Sequence, residues 1–290
     1  MEWIDKQAEE LANQYIDQFL GEAKNAGSTA DSLYNDLGSM TCNGTATSYK
    51  NIIIDRVLLP EQHYRCCYCM KCLADHTYST VEHIIPQNVS NNVQMNVYFG
   101  GRAMNLNPDN VCLTQQYVEN GFPEHNRNHR APYPHLVAYH NFAAVCPKCN
   151  NERSNKVIEP LFLYEGISEE VTYNEYSGEM TWENDPFYNS PEYNDPLSLQ
   201  VPTVDRIGLN EDLLKITRKI CFYFRRNNQN LDIFDKAERE RILYEVLGDI
   251  CMNVEDLMNF DFKIFYSMLA DFRWKELIRY DYFYTSQQNN

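Results

Sequence analysis

TVEHIIPQ, residues 80–87, stands between two cysteine groups, CCYC at 66–69 and CPKCN at 146–150. Each group contains a Cys-x2-Cys spacing, the turn that presents two thiolates to one tetrahedral zinc. Two such turns close the coordination shell, so Cys66, Cys69, Cys146 and Cys149 are the expected zinc ligands. Cys69 with Cys72 has the same spacing and is the alternative first pair; Cys66 with Cys69 is preferred because Cys72 leads directly into the next strand. The 76 residues between the pairs, 70–145, are too many for a simple ribbon, and the intervening chain must loop out of the zinc module. A zinc closed by four thiolates has no open position and cannot activate water. Chemistry must then use other groups, and the adjacent acid and base Glu82 and His83 are the candidates. On a regular strand the two point to opposite faces. Pro86 and the Ile84-Ile85 run suggest that the strand bends or ends nearby, letting the carboxylate reach a metal and the imidazole a water.

The 290 residues suffice for one large domain or two modest ones, each with its own core. Ten cysteines would suit a disulfide scaffold, but the acidic, amphipathic start MEWIDKQAEELANQYIDQFL is unlike a secretory leader, and no stretch has the length of a membrane span. The expectation is a cytoplasmic protein without membrane contact, whose paired thiols hold metal. The net charge of −16 argues against a protein that coats nucleic acid. Its distribution is uneven: −6 over residues 1–40, +1 over 41–160 and −11 over 161–290. The middle third, which carries the cysteines, escapes the acidity of the rest.

Ile4, Ala8, Leu11, Tyr15 and Phe19 recur at helical spacing and predict an amphipathic N-terminal helix, followed over 21–47 by a linker or weak short helices. NIIIDRVLLPEQ then raises the apolar density up to the first cysteines. Residues 88–138 read as a long irregular insertion. Its neighbourhood holds His125, His129, His135 and His140, expected at the surface or on nucleic acid, and Arg102, Arg127 and Arg130, which can touch a phosphate backbone. EEVTYNEYSGEMTW alternates around a Ser-Gly turn as a hairpin does, and no Lys or Arg occurs between Lys156 and Arg206. That acidic hairpin faces solvent or a basic partner. From Asn210 onward three stretches carry helical apolar stripes, with Asn210 and Asn253 as N-caps.

Glu82-His83-Ile-Ile-Pro, then Asn141-Phe-Ala-Ala-Val-Cys146-Pro-Lys-Cys149-Asn150-Asn-Glu-Arg153-Ser-Asn-Lys156, resembles the HNH endonuclease family. The resemblance implies a ββα-metal module with its first His on a strand, a middle Asn in the loop and a final His or Asn on the following helix, clamped by zinc turns. Asn141 and Asn150 are nine apart, as that pattern expects. Three departures stand out: Asn150 in place of the final His, Glu82 where Asp is common, and a long gap from His83 to Asn141. What the resemblance implies is metal-assisted phosphodiester hydrolysis. His83 would be general base, Glu82 and Asn150 the ligands of one Mg2+, Asn141 the support of the His83 ring, and Arg153 and Lys156 the phosphate clamp. A solvated helix face is the alternative for Lys156.

The flanking stretches LLPEQHYRCCYC, PLFLYEG and VDRIGLNEDLLKITRK are similar to the HNH nucleases of bacterial Septu anti-phage systems and their retron-linked relatives. That similarity implies an antiviral effector working with an ABC-type ATPase on nucleic acid, DNA ahead of RNA. The expected fold is α+β: a zinc-stabilised HNH core over 48–164, an N-terminal helix and linker over 1–47, an acidic hairpin over 165–205 and a C-terminal helical region over 206–290. The competing reading is a non-catalytic, zinc-ribbon-like binding or adaptor module.

Overall fold

The computed structural model describes residues 6–69, 73–96, 98–99, 106–125, 131–153, 170–174, 176–183, 185, 202–206, 208–210 and 215. Ile4, Cys72, Arg102, Arg127, His129, Arg130, Lys156, the PLFLYEG stretch, Asn253 and nearly all of the expected C-terminal helices lie outside them. The architecture is α+β, with three two-stranded sheets among the described residues. The chain divides into two compact units: residues 3–167 with 189–199, and residues 168–188 with 200–290 and the first two residues. The N-terminal helices thus belong to the same unit as the cysteines.

Helix α1, Glu9–Ala26, buries Ala12, Ile16, Phe19, Leu20 and Ala23, one face at helical spacing. This face is rotated from the expected one, for Leu11 is exposed and Tyr15 only half-buried. The helix also runs on through Gly21 into the expected linker and stops at Gly27, which adopts the left-handed conformation at φ 75°. A short α2, Leu33–Ser39, follows. Next comes a continuous helical run: α3, Tyr49–Ile53, a π-helical turn at Ile54–Leu58, and α4, Leu59–Glu61. Pro60 lacks the N–H that would bond the Arg56 carbonyl, and the helix widens just ahead of it. Ile52, Ile53, Ile54, Val57, Leu58 and Leu59 from this run are buried in the core.

α4 ends on two consecutive non-glycine residues in the left-handed region, His63 at φ 48° and Tyr64 at φ 59°. Each costs about 1–2 kcal/mol. The surrounding bonds hold them: Tyr64 N–H donates to the Leu59 carbonyl at 2.7 Å and Leu73 N–H to the Tyr64 carbonyl at 2.8 Å. This reversal throws the chain from the helical run into the first cysteine turn.

Strand β1, Thr80–His83, then enters the core. The insertion has more order than its composition predicts: α5, Asn92–Asn96; β2, Val111–Cys112; α6, Thr114–Glu119; and β3, Tyr133–Pro134, parallel to β2. A 3-10 turn at Tyr139–Asn141 leads into β4, Phe142–Val145, which pairs antiparallel with β1 in the register Glu82 to Ala143 and His83 to Phe142. Helix α7, Pro147–Arg153, follows at once and packs on β1.

In the smaller unit, β5, Val171–Tyr173, pairs antiparallel with β6, Met180–Trp182, as the alternation predicts. Gly178 makes the turn at φ 72°, and a Cβ there would lie 2.2 Å from the Lys215 carbonyl oxygen. The stretch that Asn210 was expected to cap lies outside the described residues apart from Lys215. Past α8, Thr203–Arg206, the Asn210 side chain accepts from Met180 N–H at 2.8 Å and donates to the Met180 carbonyl at 2.9 Å, mimicking a strand.

Candidate functional site

Four thiols meet where the first cysteine turn, the end of β4 and the start of α7 come together. The Sγ atoms of Cys66, Cys69, Cys146 and Cys149 all lie within 4.8 Å of one another, and all four residues are buried. A tetrahedron with zinc–sulfur bonds of about 2.3 Å has edges of about 3.8 Å. Cys69 Sγ and Cys146 Sγ are 3.8 Å apart. Backbone amides already face the sulfurs: Cys146 N–H donates to Cys66 Sγ at 3.4 Å and Cys149 N–H to Cys146 Sγ at 3.5 Å. The cluster can hold a zinc ion. Burial works against ionisation at Cys66, yet hydrogen bonds from the neighbouring thiols hold it well below the ordinary thiol range. The Cys69 and Cys149 thiols are raised, with Cys146 the first cause. Four crowded thiols cannot all ionise without a cation among them. Cys67 stands outside the four; burial keeps its thiol protonated, and its N–H donates to the Ala144 carbonyl at 3.1 Å, sewing the turn to β4.

Gln62, fully buried, completes that seam. Its Oε1 accepts from Ala144 N–H at 2.7 Å, and its Nε2 donates to the Ala144 and Arg65 carbonyls, each at 2.9 Å. Gln62 thereby satisfies the outer edge of β4 in place of a third strand. Sequence reasoning passed over it because a lone glutamine at the end of a helical run carries no signal of where its amide will lie.

Glu82 and His83 leave β1 on opposite sides of the pleat: the strand stays regular through both, and the expected bend does not turn them to one face. Glu82, 2% exposed, faces the cysteine turn and α7, where its Oε1 accepts from the Tyr68 hydroxyl at 3.0 Å and meets Arg153 Nε at 3.0 Å. Burial pushes its carboxyl up to about 7, against the pull of Arg153 and Tyr68. His83, also buried, faces α2 and the insertion. Its Nε2 lies 3.2 Å from the Leu136 carbonyl, so Nε2 carries the proton and Nδ1, 3.3 Å from Gln87 Nε2, keeps its lone pair. The Tyr34 and Phe142 rings pack edge-on against it. Burial holds the imidazole down at about 3, with the Leu136 bond opposing, so it is neutral across the physiological range. No hydrogen bond joins Glu82 to His83 among the described residues.

Asn141 is fully buried, and all of its amide is used: Oδ1 accepts from Ile85 N–H at 2.6 Å, while Nδ2 donates to the Ile85 carbonyl at 3.1 Å and the His135 carbonyl at 2.7 Å. The expected support of the His83 ring is therefore indirect. Asn141 fixes the chain after His83 to the chain before Leu136, and Leu136 and Gln87 hold the ring. Asn150, half-buried, sits in α7 one turn before Arg153 and on the same side.

Two further expectations change. Arg153 does not face outward as a phosphate clamp: it is 2% exposed, paired with Glu82, and donates through Nη2 to the Ile84 carbonyl at 2.8 Å. The buried Glu82 carboxylate supplies the counter-charge that a buried arginine requires. Two of the expected surface histidines are not at the surface either. His135 and His140 are buried, and His125 stacks on Tyr133 with ring centroids 3.9 Å apart. His135 Nδ1 accepts from Thr114 N–H at 3.1 Å, and burial lowers its pKa to about 4. His140 Nε2 lies 3.6 Å from Glu9, beside a buried Lys6 whose Nζ donates to the Tyr139 and Phe142 carbonyls. These contacts pin the start of α1 to the turn that carries Asn141.

No family model, curated protein or solved structure matches the chain. Among the described residues, the four cysteines are the one convergent group of three or more Cys, His, Asp or Glu, and no helix is long and apolar enough to cross a membrane.

Proposed function

We propose that β1, β4 and α7 form the ββα-metal module of an HNH endonuclease and that the protein hydrolyses nucleic-acid phosphodiesters, DNA ahead of RNA. The observation that carries this reading is the thiol cluster: its second pair brackets the β4-to-α7 junction, which sets Glu82 of β1 against the helix bearing Asn150. The four thiolates would hold a structural zinc. Glu82 and Asn150 would hold one Mg2+ or similar cation; a carboxylate and an amide oxygen suit a hard ion, and Tyr68 and Arg153 both approach Glu82 through Oε1, so Oε2 is the oxygen that would coordinate. When bound, that cation supplies charge stabilisation to the scissile phosphate and the departing 3′ oxygen.

The rest of the chemistry falls to the protein. His83 directs Nδ1 away from the Leu136 carbonyl, so Nδ1 is the nitrogen that would take the proton of the attacking water. Gln87 now donates toward Nδ1 and must yield it to that water. Tyr34 and Phe142 exclude other solvent from the ring. Asn141 keeps the loop after His83 in register. Lys156 remains the candidate phosphate contact. The acidic flanks support the further reading of an effector gated by an ABC-type ATPase in a Septu-like antiviral system, since a body of −16 repels nucleic acid until a partner presents it.

The test is cleavage of supercoiled plasmid, single-stranded DNA and RNA in Mg2+, with and without the neighbouring gene's product, by wild type and His83→Ala of equal zinc content. The reading predicts Mg2+-dependent cleavage that His83→Ala loses by at least about a hundredfold. Identical behaviour of the two proteins on every substrate refutes it and favours the adaptor alternative.

A further inference from the structure

We infer that Arg153 is the positioning residue of the candidate cation site, gripping Glu82 by one carboxylate oxygen from inside the protein so that the other faces the cation. The inference rests on the reading of Glu82 and Asn150 as cation ligands. Three contacts carry it. Arg153 Nε stands 3.0 Å from Glu82 Oε1, the Tyr68 hydroxyl donates to that same oxygen at 3.0 Å, and Arg153 Nη2 donates to the Ile84 carbonyl at 2.8 Å. Arg153 and Glu82 are each 2% exposed.

The guanidinium is planar and its donors form a rigid fork. With Nη2 bonded to the backbone two residues beyond Glu82, the guanidinium is anchored to β1 and its charge lies beside Oε1, so the ion pair draws that oxygen inward. Tyr68 fills a second lone-pair direction of Oε1. A free glutamate loses rotamer entropy on binding a cation, whereas this one is already held. Arg153 and Asn150 share a helix face one turn apart, so the grip also sets the spacing between the two ligands. The same geometry admits an opposite role, in which the arginine competes with the cation for Glu82. The competitor must leave for the cation to bind; that would break the Ile84 bond and strand a charge in the interior. The positioning role needs no such movement.

Binding of Mn2+ alone to the zinc-replete full chain, followed by its EPR signal and by calorimetry, decides between the roles. Wild type is expected to bind one Mn2+, and Glu82→Gln and Arg153→Met each to weaken it by about tenfold or more, the scale of losing a group that orients a ligand. Arg153→Lys, which keeps a cation near Oε1, is expected to recover most of the affinity, a rescue that a merely space-filling arginine would not show. Equal or tighter Mn2+ binding by Arg153→Met, while Glu82→Gln still weakens it, overturns the inference and leaves the cation site standing. Absence of Mn2+ binding by wild type, or its indifference to Glu82→Gln, overturns both. If Arg153→Met loses its zinc, Tyr68→Phe decides instead, because it removes the other hold on Oε1 and keeps the charges: weaker Mn2+ binding supports the inference and unchanged binding overturns it.

Discussion

Replacing Asn141 by alanine should cost far more than its size suggests. The side chain is fully buried and serves Ile85 N–H at 2.6 Å, the Ile85 carbonyl at 3.1 Å and the His135 carbonyl at 2.7 Å. Ile85 is itself fully buried and His135 is 3% exposed, so water does not reach the orphaned groups. Each buried group left unmade costs about 1–3 kcal/mol. Because the three share one site, the lower part of that range applies, giving a loss of about 3–6 kcal/mol. Urea unfolding of zinc-replete wild type and Asn141→Ala, followed by far-UV circular dichroism, measures the loss. Asn141→Asp is the sharper control. It keeps the acceptor for Ile85 N–H but turns a carboxylate onto two carbonyls, so its folded pKa is raised above the unfolded value. Its stability must then be greatest at low pH and fall as pH rises. An Asn141→Ala protein within about 1 kcal/mol of wild type would refute the claim that this amide ties the two chain segments together.

Other expectations follow from the same contacts. Cys146→Ser combined with Cys149→Ser should abolish a stoichiometric zinc, measured by atomic absorption; zinc retained at one per chain contradicts the site. Gln62→Ala should lower stability by about 2–4 kcal/mol in the same urea assay, because the Ala144 N–H and two carbonyls lose a buried partner; a neutral result means that β4 does not depend on it. Acid should destabilise the fold. His83 at about 3 and His135 at about 4 lie below the unfolded value, so their stabilisation is present above about pH 6.5 and lost as pH falls. Glu82 at about 7 acts oppositely, stabilising below its unfolded pKa and losing that contribution as pH rises through 7. For these three groups the net between pH 6.5 and 4.5 is one proton, about 1.4 kcal/mol per pH unit, steepening below 4.5 where Glu82 is protonated in both states; His140, lowered by burial, acts in the same direction as the other imidazoles. A melting temperature constant from pH 6.5 to 4.5 would mean that these imidazoles are not held neutral.

How much of this was legible in the sequence differs by element. Paired cysteines announce themselves because the metal demands a fixed spacing, and Cys66, Cys69, Cys146 and Cys149 do converge. The β5–β6 hairpin was readable for a similarly local reason, Gly178 in its turn. Helix α1 was readable as a helix but not in phase: Leu11, Tyr15, Ile16, Phe19 and Leu20 are all apolar, and only packing selects the face through Ala12 and Ile16. Arg153 was misplaced because spacing along α7 says which residues share a side, not whether that side meets solvent or Glu82, seventy-one residues earlier. The polar insertion hid its buried histidines for the same reason. His135 is buried by Thr114 and Asn141, contacts that no local pattern encodes.

The most direct measurement is anomalous diffraction from crystals of the full chain grown with zinc and soaked in Mn2+, recorded at the absorption edge of each metal. The account predicts a zinc peak enclosed by the sulfurs of Cys66, Cys69, Cys146 and Cys149, and a separate manganese peak in contact with Glu82 Oε2 and the Asn150 side-chain oxygen. A zinc peak alone, with no manganese between β1 and α7 at saturating Mn2+, would contradict the catalytic reading and leave a metal-stapled binding fold.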